Sequence, residues 1–545
     1  MDASDHDAIV VGAGPNGLVA ANILADAGWS VLVLEEQPAW GGAVRSGELT
    51  VPGFEHDMFS AFYPFAACSP PIASLNLHEW GLQWRHAPLV IAHPRPDGSC
   101  ACLSRDLEET VDGLERLHPG DGRAWRRLYS IWEEARPHLM EAVLGPFPPV
   151  RPAARLATAM GRDLMRLARL GVTPMRRLAE EEFYGWGGPM LLAGNALHAD
   201  LTPEAALSGM FGWLLTSLGQ DAGFPVAAGG SSRLADAMVT RLKDRGGRIL
   251  CNRRVAEVSI RRNRAVGCVT DDGDAFAARK AVLADVGAPS LYLDLVGPEH
   301  LPLDFVRDID RFQYDNATFK VDWALAKPIP WECEPARRAG TIHVARDLDF
   351  LSEVTAMVGR GMVPERPYLV LGQMNLADPS RSPAGTETAW AYTHLPQVVR
   401  GDMKGEITGA WDEREVEAFV GRIEAQVERL APGFRDAIIR RHVFTPAKFQ
   451  ESNSNLVNGA LNGGTSQLHQ QAIFRPVPNL ARPETPVRGL YLASASAHPG
   501  GGVHGAPGSN AALAALRNER RKRAAAAGAL LAGLGAAASR AGRRR

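Results

Sequence analysis

A chain of 545 residues with 46% hydrophobic and 22% charged residues is long enough for two or three globular domains and a large buried core. Its formal charge of −2 gives no net attraction to nucleic acid or an anionic surface. Six cysteines without a C-x-x-C pair argue against a disulfide framework and a metal site, and point to a reduced, cytoplasmic protein.

The N-terminus, MDASDHDAIVV, is acidic and reads as neither a secretory signal nor a transit peptide. Residues 8–11 are a short apolar run, the pattern of a buried parallel strand. GAGPNG follows, placing Gly12, Gly14 and Gly17 at G-x-G-x-x-G spacing, with Pro15 and Asn16 between them. The first glycine permits the tight turn, the second lets backbone approach a pyrophosphate, and the third lets helix pack on strand. Apolar residues continue at helical spacing to Gly28, and residues 31–34 form a second buried run ending at Glu35 and Glu36. Glu35 stands eighteen residues beyond Gly17, where an acid can accept a ribose hydroxyl. This order predicts a dinucleotide site, and FAD and NAD share the half that it reads. Gly41 and Gly42, with Arg45 close behind, can wrap a second backbone segment and a cation around the same diphosphate.

Residues 76–224 carry helical patterns rich in Trp, Leu and Arg, broken by prolines near 146–149. Cys100 and Cys102 alternate as two small core residues on one strand face. Residues 205–220 are apolar almost all round, which predicts a buried helix. A helix over 233–245 and strands over 248–251, 253–260 and 279–284 follow. Residues 453–469 are polar and glycine-rich, hence a loop, with Asn455, Gln467 and His469 as candidate polar contacts.

A second glycine block closes the folded part of the chain. A short strand at 490–493 leads into HPGGGVHG and then a helix from about residue 511. A helix N-terminus with glycine before it suits a flat ring that becomes negative on reduction, so Gly501, Gly502 and Val503 are assigned to an isoalloxazine. His504, where the chain enters that helix, is the candidate catalytic base, with His498 beside it. The tail, residues 520–545, is Ala-rich and flanked by arginine. It is too short in apolar length to span a bilayer and reads as a frayed helix or disordered end, with a weak surface contact with anionic lipid as the alternative.

The glycine blocks, VPGFEHD at 51–57, AGGSSRLA at 228–235 and GTIH at 340–343 together resemble the phytoene desaturase-like flavoproteins. They are nearest the subgroup named after pyridine nucleotide-disulfide oxidoreductase domain-containing protein 2. The resemblance implies an α/β fold: a Rossmann-like FAD-binding domain from discontinuous segments (1–75, 225–300 and 480–519) plus an α+β substrate domain (76–224 and 301–479). It implies a backbone contact from Val255 to adenine, although Val255 reads equally as a core strand residue. It also implies Phe62 and Tyr63 along the flavin face and His469 near the substrate. The activity implied is an FAD-dependent dehydrogenase or desaturase passing hydride from a hydrophobic small molecule to flavin N5. The electron acceptor stays open between oxygen, a quinone and a redox protein. An amine oxidase-type reaction and a non-catalytic flavin-holding or lipid-binding partner are the alternatives. The disulfide chemistry in the subgroup's name is not carried over, because no redox-active cysteine pair or second dinucleotide motif is present.

Overall fold

The computed structural model of the chain describes residues 6–542, with side chains to residue 528. The Ala-rich tail, for which a lipid contact is the alternative reading, lies largely outside the described side chains. Among the described residues no helix is long and apolar enough to cross a membrane.

Five parallel strands lie in the order Leu490–Leu492, Ala275–Ala284, His6–Val11, Val31–Leu34 and Arg248–Leu250. The central strand His6–Val11 is flanked on both sides and covered on both faces, which is why its run from Ala8 to Val11 is continuously apolar rather than alternating. Strands Val255–Ile260 and Ala265–Thr270 extend the sheet as an antiparallel meander onto Ala275–Ala284. Helices Pro15–Asp26, Ser232–Asp244 and the start of Ala506–Gly542 bury Leu18, Leu234 and Ala511 against one face. The other face packs on Leu291, Tyr292 and Ile309.

Because these strands run parallel, their carboxyl ends line up along one edge. The residues that follow them, Gly12, Glu35, Asp285 and the 493–496 segment, therefore share one crevice, the usual ligand position in such sheets.

A second, mixed sheet has seven strands in the order Ile438–Phe444, Ala317–Leu325, Glu387–Leu395, Leu369–Gln373, Ala339–Val344, Leu89–Pro94 and Cys100–Leu103. All nine residues of Ala317–Leu325 are buried between its two antiparallel neighbours and the layers above and below. One face is covered by helices including Asp121–Leu144, Gly187–Leu197 and Ser208–Ala222, with Trp125, Trp132 and Trp213 in the core. Helix Glu413–Leu430 covers the other through Phe419, Ile423 and Val427. The apolar 205–220 run is thus a buried helix beginning at Ser208.

A buried ion network ties the two sheets together. Arg381 donates to Asp57 at 3.0 Å and to Asp378 at 3.0 Å, with all three side chains fully buried. Asp57 also accepts the Ser231 N–H at 2.7 Å.

Candidate cofactor and active site

A cavity of about 230 Å³ opens at the carboxyl edge of the parallel sheet. Gly12, Gly14, Pro15, Asn16, Glu35, Glu36, Gly42, Arg45 and Val255 line it, and residues 453–456, Leu461, Gly463 and 494–496 close it from the opposite side. The glycines are held there by backbone approach. A methyl group on Gly14 would meet the Asp285 carboxylate at 2.7 Å, and one on Gly42 would meet Gly14 Cα at 2.8 Å. One on Gly17 would fall 2.2 Å from the Gly12 carbonyl. Helix Pro15–Asp26 starts behind Gly14, which supplies no side-chain cap, so its positive end faces the cavity edge.

Glu35 accepts the N–H of Ala13 at 2.7 Å and of Gln37 at 2.9 Å. Burial pushes its carboxyl above the ordinary range. Each oxygen keeps a second lone-pair direction for a hydroxyl donor. Glu36 accepts the Ser454 N–H at 3.3 Å. Arg45 donates to the Gly42 carbonyl at 3.1 Å and the Ser452 carbonyl at 2.5 Å, and its guanidinium lies 5.1 Å from the Phe59 ring centre. It therefore pins the glycine pair to the facing loop. Gly41 makes the turn itself, at φ +114°, and its N–H donates to the Ala13 carbonyl at 2.9 Å. A helix N-terminus, closely approaching backbone, a buried acid and a guanidinium are the groups that the ribose and diphosphate of FAD require. The residues fit the group.

Asp285 escapes a linear reading of the chain. It is buried, follows the strand Ala275–Ala284 as Glu35 follows Val31–Leu34, and accepts the Gly17 N–H at 2.9 Å. Burial, and then the charge of Glu35, push its carboxyl up to about 7. Below that pH it is neutral; above it, a new anion appears in a cavity built for a diphosphate. FAD affinity is therefore expected to fall several-fold as pH rises from 6 to 9, and Asp285→Asn should flatten the dependence. Flavin titration across that range checks this, and a flat wild-type curve would reject the role. Asn455 also belongs here. Its amide accepts the Gly287 N–H at 2.9 Å and donates to the Asp285 carbonyl at 2.9 Å, so it clamps the loop to the nucleotide fold.

The second glycine block physically meets the first. A methyl on Gly508 would lie 1.9 Å from the Asn16 carbonyl, and one on Gly505 2.6 Å from Val19. Ser494 to Ser496 line the cavity, while Gly501, Gly502 and Val503 sit on the loop beyond that lining. A methyl on Gly501 would strike Asn462 Cα at 2.7 Å; Gly502 is exposed and Val503 half-buried.

His504 is buried beside this loop, and both ring nitrogens are engaged. Nδ1 accepts the Ala506 N–H at 3.1 Å, so Nε2 carries the proton and donates to the Gly501 carbonyl at 3.2 Å. Burial pushes the ring down to about 4. With no free lone pair it braces the glycine loop rather than accepting a proton, which corrects the assignment as a base. His469 is exposed and bonded to Gln313 at 3.1 Å, away from the cavity lining, because its turn points outward. Tyr63 and Phe62 part company. Tyr63 is buried in the nucleotide-fold core, its hydroxyl donating to the Ser60 carbonyl at 2.8 Å, whereas Phe62 packs 5.9 Å from Trp390 of the mixed sheet.

Lys320 is a further buried group that the sequence did not single out. On the strand Ala317–Leu325 it donates to the Asp57 carbonyl at 2.9 Å and pairs with Asp322. Its ammonium faces the rings of Trp390 and Phe444 at 6.0 and 5.8 Å. Phe444 packs on Phe59, which lies against Arg45 at the cavity wall, so two aromatic rings separate Lys320 from the lining.

The family model for flavin containing amine oxidoreductase matches residues 16–512. The chain is 26% identical to pyridine nucleotide-disulfide oxidoreductase domain-containing protein 2 of Mus musculus, with 94% of each chain covered. It is 25% identical to the neurosporene-forming phytoene desaturase of Rhodobacter capsulatus, with 93% of each covered. In fold it is similar to an oxidoreductase from Methanosarcina mazei, with TM-score 0.58 and 15% identity over 94% of this chain and 99% of that one. The match runs from the start of the first helix through the mixed sheet and the second glycine block, and the chain belongs to the flavin containing amine oxidoreductases, as an FAD-dependent oxidoreductase.

Proposed function

We propose that this oxidoreductase is a dehydrogenase or desaturase of a hydrophobic small molecule held against the aromatic face of the mixed sheet. The observation that carries the reading is that face. Phe62 packs on Trp390, and Trp390 stacks on Tyr392 with ring centres 5.9 Å apart and planes 20° from parallel. Such a wall takes up apolar surface well. The buried carboxylates beside it are already paired, Asp322 with Lys320 and Asp57 with Arg381. An alkylammonium would have to displace a buried cation to find a counter-ion, which favours a hydrocarbon over an amine.

When bound, FAD supplies a two-electron acceptor for oxidation of a C–H bond. The chain's part is to exclude water, orient the substrate and manage the proton. Lys320 and Asp322 are the buried pair on this face able to hold one; burial pushes Asp322 up to about 6 despite the ammonium beside it. Anaerobic mixing with polyene hydrocarbons should bleach the flavin's visible absorbance, while aliphatic amines should leave it oxidised. Bleaching by amines alone would overturn the substrate class.

A further inference from the structure

One end of the mixed sheet carries a separate cavity of about 370 Å³, which shares no lining residue with the flavin cavity. Strands Leu89–Pro94 and Ala339–Val344 run parallel, so their carboxyl ends lie side by side, and the chain leaves them through Arg95 and Arg346. Leu369–Gln373 pairs antiparallel with Ala339–Val344, with Val344 opposite Leu369, which brings Arg366 to the same end. The last turn of helix Glu413–Leu430 adds Arg429. Four guanidinium groups from four segments therefore line one cavity.

Solvation alone accounts for an exposed arginine, and Arg429 also meets the partial negative charge of its own helix end. The partners and the floor go further. Arg95 lies over the Trp186 ring at 4.0 Å, and Arg346 pairs with Asp347 at 2.8 Å. Arg366 and Arg429 make no ion pair and no side-chain hydrogen bond among the described residues. Asp97, the one carboxylate among the described lining residues, turns to Ser99, accepting its N–H at 2.9 Å and its hydroxyl at 2.6 Å. Beneath the guanidinium groups the floor is apolar, formed by the buried side chains of Val344, Phe350 and Leu430.

We propose that this cavity binds a small, free amphipathic anion, with its carboxylate or phosphate head on Arg366 and Arg429 and its apolar body on Phe350, Val344 and Leu430. A planar guanidinium fork suits either head. The floor takes up apolar surface, and a cationic head of the same shape would meet four like charges. Phe62 and Trp390 are absent from the lining, so this ligand is distinct from a substrate held on the aromatic wall.

The test is calorimetric titration of the full-length FAD-loaded protein with decanoate, decyl phosphate, decanol, decyltrimethylammonium and inorganic phosphate. A decyl anion should bind one to one, about tenfold or more tighter than decanol or inorganic phosphate, and the cation should not bind. Arg366→Glu combined with Arg429→Glu should weaken that binding by about tenfold or more, with flavin content and visible spectrum unchanged. Both side chains are exposed, so the fold does not depend on them. Arg151→Glu combined with Arg440→Glu changes the total charge equally at exposed positions outside the lining, and should bind as wild type does. Equal affinity for decanol, equal loss in the control variant, or wild-type affinity after substitution of Arg366 and Arg429 would overturn the proposal. So would binding that perturbs the flavin spectrum and survives those two substitutions, because the anion would then sit on the flavin side.

Discussion

Arg475→Met should destabilise the chain by roughly 3–5 kcal/mol, since several buried carbonyls lose their donor at about 1–3 kcal/mol each, and should release most of its FAD. Arg475 is fully buried, and no carboxylate pairs with it among the described ion pairs. Its guanidinium instead donates to carbonyls: Ala495 at 2.7 Å, Thr465 and Asn462 at 3.0 Å, Gly463 at 3.3 Å and Gly464 at 3.4 Å. Burial pushes the group down to about 10, so it stays cationic at neutral pH. A planar fork with five donors can serve this ring of acceptors, and methionine can serve none. The affected turns include Gly463 and Ala495, both on the cavity wall. Loss of stability and loss of flavin should therefore appear together. Arg475→Lys, a compact ammonium with three donors, should recover only part of either. Urea denaturation and the ratio of flavin to protein absorbance measure the two effects. A variant matching wild type in both would show that the carbonyl ring is held by something else.

Where function depends on neighbours in the chain, the sequence was readable; where it depends on neighbours across the fold, it was not. GAGPNG and Glu35 are separated by one helix and one strand, so spacing alone places the glycines and the acid at one sheet edge. Asp285 occupies the same kind of position, after a strand 268 residues from Gly17, and nothing local joins the two. Arg475 and Lys320 look like ordinary charged residues until the fold surrounds them with carbonyls or rings. The mixed sheet is equally non-local. Its parallel pair, Leu89–Pro94 and Ala339–Val344, is separated by the helical layer and the middle segment of the nucleotide fold. His504 shows the opposite failure. Its proximity to the second glycine block was legible, but adjacency says nothing of hydrogen-bond partners, and these turn a candidate base into a brace. Phe62 and Tyr63 differ only in direction, which an aromatic pattern does not encode.

Glu35→Ala should weaken FAD binding by about 10- to 100-fold, the worth of one charged hydrogen bond of roughly 1.5–3 kcal/mol. The complication is that Glu35 also holds the N–H groups of Ala13 and Gln37, so truncation disturbs the glycine turn whether or not a ribose is present. Glu35→Gln keeps the shape and one acceptor oxygen, but turns an NH2 toward one of those donors. It should fall between wild type and alanine. A comparison of cofactors separates the two roles. FMN carries the same ring and lacks the adenosine ribose, so a ribose-binding Glu35 makes the alanine penalty large for FAD and small for FMN. If Glu35 serves only to order the turn, both flavins should suffer alike, because the defect would precede any contact with the nucleotide. Titration of apoprotein with each flavin gives that ratio, and equal penalties would remove Glu35 from the binding set while leaving it in the fold.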